Sequence, residues 1–239
     1  MLVNRLTINP FVTVHITKSN IENSDLTPFA LELALWGSNI NELALLTRPN
    51  EKALSEAYKV LQMLGAVNEQ LQITKDGRLL SKIPLHPRLA RIILAGGKDA
   101  TLLASVLSYA DPLNNMNSSD INIRIAAIKN YQKQKSDSSY SLKVPIMKQI
   151  MKEISRLSKH LTNQSDYTVA QLAALAYPDR IGKRREGKAP RYILSNGKGA
   201  IMAGSDPLGS VPFIVACNLD GNLQEAKIRQ CLPITLSEI

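Results

Sequence analysis

The segment from residue 53 to residue 95 constrains the fold most, because it contains four local signals in a fixed order. An amphipathic helix is predicted to end at Gly65, since glycine favours the left-handed backbone found just after helices. Two short apolar pieces joined by the polar turn 68–70 then predict a small β-hairpin, or wing. Thr74 begins a further short element, and the His-Pro pair at 86–87 opens the next helix. This order predicts a winged-helix domain followed by a second helical domain.

The winged-helix domain is expected to span residues 24–84, with two helices before the amphipathic one, at about 26–35 and 40–46. Trp36 has dense apolar neighbours, so we expect it to anchor the core rather than to serve as a platform for base stacking. The third helix has a nearly neutral exposed side, and the wing contains no Lys or Arg, which is poor equipment for reading DNA. Residues 1–23 fit the pattern poorly and contain one possible strand.

Residues 85–182 have helical periodicity throughout and predict a helical bundle. The longest helix is expected from about residue 145 to residue 161, with a buried stripe at three- and four-residue spacing. A second stripe at the same spacing lies along one flank and carries four cations: Lys148, Lys152, Arg156 and Lys159. Four further lysines are expected nearby: Lys129, Lys133, Lys135 and Lys143. This is the strongest basic surface that the sequence predicts.

The residue pattern changes after a basic segment at 179–185, which we interpret as a linker. A hairpin is predicted at 191–202 with its turn at Asn196-Gly197, followed by strands near 211–217 and 228–234. Four strands do not close a barrel, so residues 183–239 are expected to be the incomplete start of a β-barrel-like (OB-like) domain. The expected fold class is mainly α with a small β part.

The net charge of +9 is unevenly distributed along the chain. The balance is −1 over residues 1–81, +7 over residues 82–182 and +3 over residues 183–239. A basic region of this kind suits a polyanion such as nucleic acid, although surface lysines that serve only solubility would give the same balance. The two cysteines and the absence of a long apolar run favour a reducing, cytoplasmic setting without a membrane partner.

Several separated pieces resemble the winged-helix and ratchet domains that follow the motor domains of DEAH-box helicases. They are LQMLGA at 61–66, TKDGR at 74–78 and PLHPRLAR at 84–91. Two more pieces resemble the bacterial HrpB branch of that family, namely LELALWG at 31–37 and YPDRI with KRR at 177–185. The resemblance covers about residues 20–215.

The resemblance implies an accessory region of an ATP-dependent RNA or DNA helicase. In that family the ratchet closes one wall of a channel for single-stranded nucleic acid, and the winged helix docks on the motor domains. ATP and Mg would bind those motor domains, since this chain has no G-x-x-x-x-G-K-[ST] loop and no Asp-Glu-x-His motif. Its three histidines lack metal-site spacing, so no catalytic residue, metal ligand or activity is predicted for the chain alone.

Seven cations are predicted to contact nucleic acid: Arg88, Arg91, Lys148, Lys152, Arg156, Arg184 and Arg185. For Arg88 and Arg91 an equal alternative is an ion pair with carboxylates inside the domain interface. Two other functions stay open for the whole chain. One is a stand-alone winged-helix DNA-binding regulator, and the other is a structural module for protein interaction, in which the charge is incidental.

Overall fold

The computed structural model describes residues 25–38, 40–45, 48–114, 116–133, 140–161, 164–221 and 225–239. The strand predicted within residues 1–23, and Lys135, lie outside these ranges. The α-helices of the described residues are α1 (Thr27–Trp36), α2 (Glu51–Met63), α3 (Lys75–Leu80), α4 (Pro87–Ala95), α5 (Ala100–Ser108), α6 (Ile121–Gln132), α7 (Val144–Leu157) and α8 (Val169–Ala176). The strands are β1 (Ile181–Arg184), β2 (Arg191–Leu194), β3 (Gly199–Ile201), β4 (Phe213–Leu219) and β5 (Ala226–Pro233). A mainly helical region followed by a small barrel is therefore the fold class that the sequence predicted.

The winged helix is formed by α1, α2, α3 and the predicted wing. A single β-bridge between Val67 and Ile73 closes the wing. The Thr74 hydroxyl caps α3 by accepting a hydrogen bond from the Gly77 amide at 2.9 Å. A Cβ atom at Gly77 would lie 2.1 Å from the carbonyl oxygen of Ala66, so glycine is what lets α3 cross the wing this closely.

Helices α4 to α8 form the bundle, and their ends follow local sequence signals. Pro87 occupies the first position of α4, and the His86 side chain accepts the cap hydrogen bond. The Gly96-Gly97 pair ends α4 with positive φ angles of 78° and 103°. The Asp120 carboxylate caps α6, and Thr168 forms a capping box at the start of α8.

One apolar core extends through all three parts of the molecule. Its fully buried members include Leu61 of α2, Ile92 of α4, Leu103 of α5, Leu172 of α8 and Val215 of β4. A second, smaller core fills the inside of the barrel around Tyr192. Because the larger core is continuous, burial of apolar surface fixes the winged helix and the barrel against the bundle.

The barrel is closed, in the order β1-β2-β3-β5-β4 with β4 pairing back to β1. The expectation of an incomplete barrel is therefore wrong, because part of the predicted linker forms β1. A Cβ atom at Gly182 would lie 3.1 Å from Leu194 and 3.3 Å from Ile214, so a larger residue would press on both side chains where β1 packs inside the barrel. The predicted boundary between residues 182 and 183 falls within β1, and the division into domains stays a prediction.

Three local expectations about the first helices differ from the structure. Trp36, expected in the core, is 62% exposed, because it ends α1 beyond the buried residues Leu33 and Ala34. The second predicted helix is only a 3-10 turn at Ile40–Glu42 within the described residues. Asp99 lies where the sequence predicts an N-cap for α5, but it makes no side-chain cap, since its carboxylate pairs with Lys129 at 2.8 Å.

Candidate nucleic-acid interface

Helix α7 presents the predicted basic flank because its opposite side is held in the core. Met147, Ile150 and Leu157 are fully buried, and the helix packs against α5. Their three- and four-residue spacing leaves Lys148 and Lys152 on the outside of the same helix. Lys159 continues this line in the 3-10 turn Ser158–His160 that follows α7, and all three lysine side chains are exposed.

The three lysines are available to a ligand. Among the described residues, no carboxylate lies within 4.0 Å of the amines of Lys148, Lys152 or Lys159. An ammonium group without an internal partner is free to neutralise a phosphate, which releases the counterion that was condensed on that phosphate. We call Lys148, Lys152 and Lys159 the α7 surface.

Arg156 lies on the same flank but is partly committed to the fold. Its Nε is 2.8 Å from Oε2 of Glu153, and its Nη2 is 2.5 Å from Oε1. Glu153 is only 8% exposed, so it needs this partner. The hydrogen bonds from Arg156 hold the pKa of Glu153 below its ordinary value, with burial acting in the opposite direction. The main contact of the Arg156 guanidinium is therefore the Glu153 carboxylate, although part of the arginine side chain stays exposed.

The lysines expected beside α7 have different surroundings. Lys129 pairs with Asp99, and the Lys143 amine donates to the carbonyl oxygen of Asp111 at 3.1 Å. Lys133 is exposed at the end of α6. The neighbourhood therefore adds less free charge to the α7 surface than the sequence suggested.

Arg88 is an internal residue with an exposure of 4%. Its Nη1 and Nη2 atoms donate to Oδ1 and Oδ2 of Asp179 at 2.6 and 2.9 Å, and Nη1 also donates to the Ala176 carbonyl at 3.0 Å. The guanidinium lies 5.1 Å from the centre of the Tyr177 ring, and burial raises the pKa of that phenol. Arg88 therefore follows the stated alternative, an ion pair inside the protein, and it cannot reach a bound strand from this position.

Arg91, Arg184 and Arg185 are placed apart from α7. Arg91 pairs with Asp76 at 3.0 Å and thereby joins α4 to α3. Arg184, at the end of β1, donates to the carbonyl oxygens of Gly209 and Gly187 at 2.8 and 3.1 Å. Arg185 follows it and is exposed. The structure thus brings together the predicted cations of α7, while the other four lie in α4 or at the barrel.

Sequence reasoning missed Arg124, whose exposure is 2%. Its guanidinium donates to Asp111 Oδ2 at 2.7 Å and to the carbonyl oxygens of Ser118 and Asp120. The sequence contained a usable signal, because Arg124 falls at core spacing between Ile121 and Ile128 of α6. A cation at such a position needs an internal acceptor. Arg88 gives the same signal, four residues before the buried Ile92.

The described residues contain no cluster of three or more His, Cys, Asp or Glu side chains arranged to hold a metal ion. The helices within the described ranges are also too short or too polar to cross a membrane. The two cysteines, Cys217 and Cys231, are buried as free thiols, and burial raises the pKa of both.

In comparisons with known proteins, this chain is similar to helicases. Residues 57–85 match the family model of the helicase associated domain (HA2), winged-helix. The chain is 27% identical over 228 residues to ATP-dependent RNA helicase HrpB of Escherichia coli (strain K12), which covers 93% of this chain and 26% of HrpB. It is 38% identical over 82 residues to probable ATP-dependent RNA helicase DHR1 of Saccharomyces cerevisiae, covering 32% of this chain and 6% of that protein. The chain thus spans about a quarter of the length of HrpB and a smaller share of DHR1.

Solved structures give the same result. The crystal structure of the E. coli DExH-box NTPase HrpB matches with a TM-score of 0.73 at 27% identity, covering 93% of this chain and 26% of that one. A second HrpB structure, of the E. coli DEAH/RHA helicase, matches with a TM-score of 0.70 at 25% identity, covering 92% and 27%. The resemblance to DEAH-box helicases of the HrpB type is therefore confirmed, and the matches support an accessory helicase region.

Proposed function

We propose that this accessory helicase region forms part of a channel for single-stranded nucleic acid, with the α7 surface as one wall. The observation that supports the proposal most is a line of three exposed lysines, without carboxylate partners among the residues that the structure describes, on a fold that matches HrpB. Lys148 and Lys152 are about one helical turn apart, and Lys159 continues the line in the 3-10 turn after the C-terminal end of α7. Such a line suits the repeating phosphates of an extended strand.

The chemistry of the α7 surface favours binding to the phosphate backbone over recognition of particular bases. Lysine amines are point charges on flexible stems, so they bind phosphates without discriminating between bases. The helix that would read bases in a winged-helix regulator, α2, has a mixed set of exposed charges, and the wing has no Lys or Arg. This argues for a strand-holding role rather than for the alternative of a DNA-binding regulator.

In this proposal the chain acts together with motor domains of the same parent protein, in the cytoplasm. ATP and Mg would bind those motor domains and supply hydrolysis, whereas this chain would dock on them and hold the strand. The curated relatives are named RNA helicases, so single-stranded RNA is the first substrate to test and DNA the second.

The test uses the full chain and a labelled single strand of about 20 nucleotides, which exceeds a typical site of about 4–16 nucleotides per small binding fold. Fluorescence anisotropy with oligo-uridylate, oligo-thymidylate and a mixed duplex is measured over a series of salt concentrations. We expect tighter binding to the single strands, without base preference. Affinity should fall with added salt by about 0.7 logarithmic units per phosphate contact for each tenfold rise.

The triple variant K148Q/K152Q/K159Q should bind roughly 10–100-fold more weakly near 0.1 M salt and should have a salt slope smaller by about 2. The matched control K52Q/K59Q/K75Q removes the same charge from exposed positions of the winged helix and should bind like the unmodified chain. Equal binding by the α7 triple variant, or equal losses in both variants, would refute the α7 surface. Site-dependent duplex binding would instead favour the regulator, and no binding would favour the structural module.

A further inference from the structure

A cleft lies between the winged helix and one end of the barrel. Its volume is about 470 Å³, which is within the range of pockets that hold small ligands. Residues of α2, of the 3-10 turn Pro178–Arg180 and of the barrel end where β2 turns into β3 line it. None of the three lysines of the α7 surface lines it, so the two sites are separate. We call it the junction cleft.

The junction cleft has apolar walls on two sides. On α2, Ala53, Ala57 and Val60 recur at four- and three-residue spacing and line the cleft. Met63 follows at the end of the same helix and is 51% exposed, so no described element covers this wall. The barrel side contributes apolar residues from the ends of three strands: Leu194, Leu219 and Ala226. Such walls suit a ligand with a flat, largely apolar ring.

Arg88 gives the junction cleft a buried hydrogen-bond donor. It lines the cleft although its exposure is only 4%. Its terminal nitrogens are bound to Asp179 and to the Ala176 carbonyl, but its Nε has no hydrogen-bond partner among the described residues. A buried N–H without a partner costs free energy, which an acceptor atom of a ligand would recover. Because Asp179 already neutralises Arg88, a ring nitrogen or carbonyl oxygen suits this donor better than a second anion.

Two cations lie where the junction cleft opens to solvent. Arg180 is partly buried, and its Nε is 3.7 Å from Oδ2 of Asp179, a carboxylate whose two oxygens are already bound to Arg88. Lys198, in the turn between β2 and β3, is exposed. In the part of the chain that the structure describes, no carboxylate lies within 4.0 Å of its amine. Both cations are therefore available to an anionic group.

The other charges of the junction cleft largely offset one another. Asp25 pairs with His86 at 3.2 Å and accepts a hydrogen bond from the Thr27 amide at 2.9 Å. Glu56 and Lys59 are exposed and lie three residues apart on α2, where side chains are neighbours. The two cations at the opening are thus the charge that a ligand would meet.

We infer that the junction cleft binds a free nucleotide. A nucleotide brings a flat ring for the apolar walls, ring acceptors for the Arg88 donor and phosphate for Arg180 and Lys198. An inorganic anion would use only the opening, and an uncharged apolar molecule would use only the walls. A nucleic-acid strand carries the same groups, but Arg88 is nearly inaccessible, so a small ligand reaches it more readily than a chain of linked nucleotides does.

The phosphate contacts are tested on the full chain by calorimetric titration with AMP, GMP and UMP. The double variant R180Q/K198Q should bind the nucleotides roughly 10–100-fold more weakly, because it loses charge-assisted hydrogen bonds to phosphate. Circular dichroism checks that the variant is folded. The matched control K52Q/K75Q removes the same charge from exposed positions of the winged helix and should bind normally. No binding of any of the three nucleotides to the unmodified chain, or equal losses in both variants, overturns the inference.

Gly199→Leu tests the junction cleft without changing its charge. Gly199 lines the cleft, and a Cβ atom there would meet nothing within 4 Å, so leucine should fit the fold and occupy space that the ligand needs. Nucleotide affinity should fall about tenfold through this steric conflict. Gly204→Leu is the matched control, because a Cβ atom at Gly204 would also meet nothing within 4 Å but this residue does not line the cleft. Unchanged affinity in Gly199→Leu would contradict the assignment.

Competition experiments identify the ligand by its parts. Adenosine and inorganic phosphate should each displace AMP poorly, since each satisfies only part of the site. Displacement by inorganic phosphate at the same concentration as AMP would mean that the cleft holds an anion without a base, and the inference would be wrong. An oligonucleotide with a terminal phosphate that binds more tightly than AMP, and loses this advantage in R180Q/K198Q, would assign the cleft to a strand end and overturn it as well.

The junction cleft and the α7 surface fail separately in these experiments. Variant K148Q/K152Q/K159Q should bind nucleotides like the unmodified chain, since its substitutions lie outside the cleft. Strand binding that depends on the α7 lysines, together with no nucleotide binding, refutes the junction cleft alone. Nucleotide binding that depends on Arg180 and Lys198, together with strand binding unchanged in the α7 variant, supports the cleft and refutes the proposed channel wall.

Discussion

Helices α4 and α7 carry cations at similar helical spacing but use them in opposite ways. Arg88 of α4 is buried and bound to both oxygens of Asp179, and Arg91 is bound to Asp76. Lys148 and Lys152 of α7 are exposed without a carboxylate partner in the described residues. The sequence predicted phosphate contact for all four, with an internal ion pair as an equal alternative for Arg88 and Arg91. Their difference shows that the role of a basic residue depends on whether the fold provides an acceptor for it.

Residue type contributes to this difference. Arginine presents a planar, weakly hydrated fork that can be buried against a carboxylate, whereas the lysine amine is strongly hydrated and favours the surface. The helix face then decides the outcome. Arg88 falls on the buried side of α4, while Lys148 and Lys152 fall on the outer side of α7.

The largest expected effect is on stability, at Arg88. Substituting Arg88→Met leaves the carboxylate of Asp179 buried without its bidentate partner, which should reduce the free energy of unfolding by about 3–5 kcal/mol. Urea denaturation followed by circular dichroism measures this. The control Lys148→Met, on the exposed flank of α7, should stay within about 0.5 kcal/mol.

The double variant R88M/D179L separates charge burial from lost packing. Because it removes both members of the pair, it should recover part of the stability that Arg88→Met loses. It also keeps the experiment informative if the single variant does not fold. A single variant as stable as the unmodified chain would show that the buried carboxylate of Asp179 does not depend on Arg88.

An intermediate effect on stability is expected at Arg156, which pairs with Glu153 and is also a predicted phosphate contact. Arg156→Gln should cost about 1 kcal/mol at pH 7, since one partner is buried but the arginine itself is partly exposed to solvent and screened. Because Glu153 has a lowered pKa in the folded state, the stabilisation by the ion pair is fully present above the ordinary pKa of an unfolded glutamate and is lost as the pH falls through the lower folded pKa.

Unfolding of both proteins over a pH series tests this expectation. The difference in stability between Arg156→Gln and the unmodified chain should be largest near neutral pH and should shrink in acid. A difference that stays constant from neutral pH into acid would mean that Arg156 stabilises the fold through packing rather than through the carboxylate.

The smallest effect is expected at Arg91. Its pair with Asp76 lies near the surface, where ion pairs contribute about 0–1 kcal/mol, so Arg91→Gln should lower the unfolding free energy by about 0.5 kcal/mol. Added salt should reduce even this difference. A loss comparable with that of Arg88→Met would remove the contrast between a buried and an exposed arginine pair on α4.

The sequence by itself determined most of the helical framework. The predicted helix starts at Thr74 and His86, the glycine stop at Gly65 and the apolar stripe of α7 gave the winged helix and much of the bundle. These signals were sufficient because each one acts between residues only a few positions apart. The outward position of Lys148 and Lys152 followed from the same local periodicity.

Tertiary structure alone decided which charges are free and how the barrel closes. The Arg88 partner lies 91 residues away, and β1 becomes a strand only because β2 and β4 flank it. Trp36 lies outside the core for a similar reason, since burial depends on which elements pack around the end of α1. Local propensity extends over a few residues, whereas ion pairing, strand pairing and burial depend on distances that only the folded chain sets.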